Sequence, residues 1–88
     1  MIQMISYDLK KPGQDYTTLI KEIKSLGSWC HALKSTWLVD TPKSAEQVRA
    51  TLKAHMDADD LILVVNVTGA NYSGYLDEEV VAWLRTHM

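Results

Sequence analysis

The chain has 88 residues, 47% hydrophobic and 23% charged, the proportions of an ordinary globular domain, so disorder is not the default and one domain over residues 1–88 is expected. Nine Lys and Arg stand against 11 Asp and Glu, a net charge of −2, which argues against a dedicated binder of phosphate backbones. Cys30 is the only cysteine, which excludes an intrachain disulfide and a Cys-based zinc site.

Residues 1–9 are apolar and β-favouring and run into Lys10-Lys11-Pro12-Gly13, a strong turn signal. A first strand ending near Tyr7-Asp8 is expected. Tyr16, Leu19, Ile20, Ile23 and Leu26 then recur at helical spacing, with Asp15 as N-cap and Gly27 just past the end. Trp29 to Leu33 and Thr36 to Asp40 read as two strands joined through Lys34-Ser35. Ser44 and Gln47 form a capping box ahead of a second helix, whose stripe is Ala45, Val48, Leu52 and Met56. Asp57 to Asp60 closes that helix. Leu61 to Val67 is the clearest strand, and a polar Gly-containing loop follows it. Asp77, Glu78 and Glu79 place negative charge in the first turn of a last helix over about residues 77–87, where it suits the helix dipole.

The order β-α-β-β-α-β-α predicts an α+β fold: a ferredoxin-like βαββαβ antiparallel sheet with two helices on one face, plus a C-terminal helix. The first and third strands would be central and the last an edge. Leu61 to Val65 is apolar on consecutive residues, as in a strand buried on both faces. Something must therefore cover the second face of the sheet. The C-terminal helix would cover part, and a homodimer formed through the sheet would cover the rest.

Asp8 is the first candidate for chemistry. At the end of a central strand, beside the Lys34-Ser35 junction, its carboxylate could take Mg²⁺ or Mn²⁺, better as a pair across a dimer axis than alone. Asp also commonly caps its own turn. Ser35 would orient a phosphate and Lys34 offset its charge. Tyr7 and Trp37, on neighbouring strands, would stack bases, or else pack in the core. Nucleic acid is thus a candidate partner, which the net charge does not favour. His31, His55 and His87 lack metal-ligand spacing, and Cys30 reads as a buried thiol. Gly69 to Tyr75 could cover a small-ligand pocket. No secretion signal and no membrane-length apolar run is visible, so a cytoplasmic location with no membrane partner is expected.

Ile5-Ser6-Tyr7-Asp8, a helix, and Lys34-Ser35-Thr36-Trp37-Leu38-Val39 together resemble the second core CRISPR-associated protein family and its virulence-associated protein D relatives. The chain is also similar to short bacterial proteins, some labelled SinR-like, that share an I-S-Y-D-L start, an S-T-W-L-V-D segment and a T-G turn before an L-D-E helix. The resemblance implies a ferredoxin-like homodimer. In some members strand-end aspartates meet at the dimer axis of a metal-dependent nuclease acting on RNA or DNA, and other members are non-catalytic adaptors. Asp8 matches that aspartate, and Ser35 a serine at the start of the third strand, so both become candidate catalytic residues. Low basic content and a helix in place of the usual final strand exchange depart from the family. The alternative is a non-catalytic homodimeric interaction module, such as a toxin–antitoxin or defence-system component.

Overall fold

The computed structural model describes residues 1–11 and 16–88. Their elements are β1 (Ile2–Asp8), α1 (Thr17–Ser25), β2 (Ser28–Leu33), β3 (Thr36–Asp40), α2 (Ala45–Lys53), β4 (Leu61–Asn66) and α3 (Glu78–His87). The fold is α+β, a four-stranded antiparallel sheet with three helices. Strand order is β2-β3-β1-β4, so β1 and β3 are central and β2 and β4 are the edges. Among the described residues no helix is long and apolar enough to cross a membrane.

Strand parity divides the core in two. Ile5, Trp37 and Val39 point to one face and meet Leu19 and Ile23 of α1, its C-cap Leu26, and Val48 and Leu52 of α2. Ile2, Cys30 and Leu38 point to the other and meet Val80 and Leu84 of α3. The helical stripes predict the first cluster because residues three and four apart share a helix face. Burial pushes the Cys30 thiol up, as expected for an inert core cysteine.

Helix ends follow from local chemistry where that chemistry is local. Ser44 Oγ accepts from the Gln47 backbone N–H at 3.1 Å, and Gln47 Oε1 accepts from the Ser44 N–H at 2.9 Å, completing the expected capping box. The expected N-cap of α1, Asp15, lies outside the described residues, as do Pro12 and Gly13 of the predicted turn; the N-cap is Tyr16, without a side-chain cap bond. Gly27 does follow α1. Its backbone is extended rather than left-handed, and a Cβ there would overlap the Asp40 carbonyl oxygen. Glycine is required at this point by close approach of two backbones.

Asp60 closes more than the second helix. It is buried and accepts from the Lys10 N–H at 2.7 Å, the Asp57 N–H at 2.8 Å and the Tyr16 hydroxyl at 3.0 Å. Lys53 Nζ donates to the Asp57 and Asp60 carbonyls at 2.9 and 3.0 Å. One carboxylate thus ties the ends of β1 and α2 to the start of α1. Burial alone would push the Asp60 carboxyl up, but these donors and the Lys53 charge outweigh it and hold it below the usual carboxylate range.

Candidate functional site

The face carrying α3 is only half covered. In register, Val65 of β4 lies beside Met4 of β1, Leu63 beside Ser6, and Leu61 beside Asp8. Thr36 of β3 continues the Ser6 row and Leu33 of β2 ends it. Leu61, Leu63 and Leu33 are 59%, 61% and 56% exposed. Two apolar ridges therefore flank a floor where the Ser6 and Thr36 hydroxyls lie 3.4 Å apart. The expectation that β4 is buried on both faces is corrected here. Ile62 and Val64 pack against the α1–α2 core, but the other face of β4 is open, because α3 lies over β2 at the opposite edge.

Asp8 projects from this open face at the end of β1. Its side chain is 64% exposed and paired with Lys10 Nζ at 2.8 Å, a contact that raises the Lys10 pKa through its hydrogen bond and charge. The Tyr7 N–H donates to the Ser35 carbonyl at 3.1 Å, so the Lys34-Ser35 turn does share the rim with the strand end. The described residues contain no group of three or more His, Cys, Asp and Glu arranged to hold a metal ion. One exposed Asp8, already paired with a lysine, does not fit a divalent cation within a single chain.

Tyr7 and Trp37 come together, in the core. Trp37 is 1% exposed, and its indole Nε1 donates to the Tyr7 hydroxyl at 3.0 Å. A ring so enclosed offers no face to a base, and packing is its role. Lys34 is exposed; its carbonyl takes the His31 Nε2–H at 3.1 Å.

A cavity of about 530 Å³ lies between the open face, residues 70–76 and α3, lined by Met4, Leu33, Leu38, Tyr72, Leu76 and Leu84 among others. It matches the pocket expected under the Gly69–Tyr75 loop. Its walls are apolar and continuous, through Met4, with the β4 strip.

A second set of residues escaped the sequence reading. The Trp83 indole N–H donates to Ser28 Oγ at 3.1 Å, and its ring stacks on His87 at 3.9 Å. His87 Nδ1 lies 2.8 Å from the Trp83 carbonyl, which can only accept, so Nδ1 carries the proton and Nε2 accepts from Ser28 Oγ at 3.0 Å. The network fastens α3 to β2. On the opposite face of the sheet, His31 stacks on Trp37 at 3.9 Å, Trp29 tilts against Trp37 at 5.4 Å, and Lys24 Nζ sits 4.7 Å from the Trp29 ring centre. The only signal for these two ring groups in the sequence is a tryptophan in each, Trp29 and Trp83. No protein-family model matches the chain, and no curated protein matches it.

Proposed function

We propose that this protein is a homodimeric interaction module on a ferredoxin-like domain, associating through the open half of its sheet. The strand order β2-β3-β1-β4 and the two helices packed on one core support the fold type. The observation that carries the dimer is the strip Leu61, Leu63 and Val65, exposed on the face where Leu33 is also exposed and Met4 is half-buried. Contiguous apolar surface of this kind marks an interaction site on a soluble domain. A standard interface takes about 800 Å² from each partner, roughly one seventh of the 5671 Å² surface. Two-fold packing of ridge against floor would suit this strip: the Leu63 ridge of each copy can enter the Ser6–Thr36 trough of the other. Sedimentation should find a dimer at micromolar concentration and a monomer for Leu63→Lys, which removes an exposed side chain. A monomeric wild type, or a Leu63→Lys variant as dimeric as wild type, would refute the module.

One observation favours a second reading, metal-dependent cleavage of phosphodiesters with Mg²⁺ or Mn²⁺. Asp8 is exposed on the same open face, in register with Leu61. A dimer axis near Leu61 would bring two Asp8 carboxylates together, each close to a Lys34-Ser35 turn. Manganese titration of wild type and Asp8→Ala should then differ, with the folded dimer retained in both. Equal manganese binding would sink the nuclease reading and leave the module standing.

A further inference from the structure

The cavity of about 530 Å³ on the α3 face is built by one chain, and its two walls differ in chemistry. One wall is the sheet with α3. Met4, Leu38, Val67, Leu76 and Leu84 line it, and all belong to the cluster around Ile2 and Cys30, so their side chains converge on one face. The other wall is the strap 71–75. Before it, the Ala70 N–H donates to the Val67 carbonyl at 2.9 Å and closes a turn; after it, Leu76 packs into the α3-side cluster. Between those anchors every residue is exposed, and none makes a hydrogen bond to another described residue, through backbone or side chain. Backbone amides and carbonyls need partners wherever water is excluded, so the strap keeps its polar groups for solvent or for a ligand.

We infer that this cavity binds an uncharged amphiphile, its apolar body against the sheet and α3 and its neutral hydrogen-bonding head against the strap. Charge decides the class. No lining residue is Asp, Glu, Lys, Arg or His. An ionised ligand would give up its hydration there and gain no counter-charge. A pure hydrocarbon would cover strap groups without offering them a partner. The floor agrees. Thr36 lines the cavity, and its hydroxyl lies 3.4 Å from that of Ser6, a long contact that leaves neutral hydrogen-bonding capacity to spare. Size agrees as well. Small-molecule sites run from about 300 to 1,000 Å³. At ~30 Å³ per water-sized group this one takes about eighteen, room for a phenylnaphthyl skeleton or a decyl chain with its head. The strap also gives a route of entry, because it can swing on its two anchors without breaking a hydrogen bond of the sheet.

Titration of the full chain with N-phenyl-1-naphthylamine, a neutral probe that brightens in apolar surroundings, tests the inference. Saturable binding is expected, with the sulfonated analogue 8-anilinonaphthalene-1-sulfonate at least about tenfold weaker. 1-Decanol should displace the probe, and decanoate should need at least about tenfold more to do so. Ala32→Leu, which adds carbon atoms at a lining position, should weaken the probe about five- to tenfold. Leu63 is outside the lining, so Leu63→Lys should keep wild-type probe affinity even where the dimer is lost, and the cavity and the dimer stand or fall separately. Amide exchange on the wild-type chain gives a readout that needs no variant: the amides of 71–75 should slow when decanol binds and covers them. No saturation at the solubility limit of the probe, equal binding of the sulfonate or of decanoate, wild-type affinity in folded Ala32→Leu, loss of binding in Leu63→Lys, or unchanged exchange at 71–75 would overturn the site.

Discussion

Tyr7→Phe separates a structural from a binding role for the Tyr7–Trp37 pair. The substitution keeps the ring and removes one oxygen. That oxygen accepts the Trp37 indole N–H at 3.0 Å, in a site where Trp37 is 1% exposed. Water cannot readily replace it. A buried donor left without a partner costs about 1–3 kcal/mol, against a total stability of about 4–13 kcal/mol for a domain of this length. At roughly 5 °C per kcal/mol, the melting temperature should fall by about 5–15 °C. Urea unfolding followed by tryptophan fluorescence is the assay, with the midpoint expected to drop at unchanged slope. Adding Trp37→Phe should show coupling. The double variant loses the donor as well, so removing the Tyr7 oxygen should cost less there than in the wild-type background. A loss under about 0.5 kcal/mol in the single variant would refute the reasoning, because it would mean the indole is satisfied without Tyr7.

Three other perturbations test the framework. Asp60 is held below the usual carboxylate range, so its contribution to stability is complete above the unfolded pKa of about 4 and is lost as pH falls through the lower folded value; melting curves of Asp60→Asn between neutral and strongly acid pH should show a flatter acid limb than wild type. Gly27→Ala drives a Cβ into the Asp40 carbonyl and should lower the melting temperature by more than the few degrees typical of a surface change, with the β2–β3 amides losing hydrogen-exchange protection first. Ser44→Ala removes half of the capping box and should cost about 0.5–2 kcal/mol in chemical denaturation.

What the sequence makes legible here is whatever is decided within one helical turn or one strand. Leu19 and Ile23, and Val48 and Leu52, announce their helices because a buried stripe repeats at three and four residues. Ser44 and Gln47 announce a helix start because both partners of the cap lie within it. Asp60 is read as a mere helix end because two of its donors, Lys10 and Tyr16, are 50 and 44 residues away. Trp83 and Ser28 meet only because α3 packs over β2, and nothing near either residue specifies that docking. The run Leu61 to Val65 is correctly a strand, yet consecutive apolar residues state only that both faces are apolar. They do not state that the chain itself covers both.

That last point turns on where α3 lies. β4 and β2 are opposite edges of the sheet, with β1 and β3 between them, and at about 4.8 Å per strand spacing they lie roughly 14 Å apart. The helix that would have covered β4 lies instead over β2, where the Trp83 indole N–H donates to Ser28 Oγ. A single placement of α3 therefore covers β2 and leaves the β4 strip open. A dimer formed over β4 would leave α3 and its contacts with β2 at the outer edges. Leu63→Lys then becomes a test of that placement: it should dissociate the dimer while the docking of α3 on β2 through Trp83 and Ser28, followed by tryptophan fluorescence, stays as in wild type.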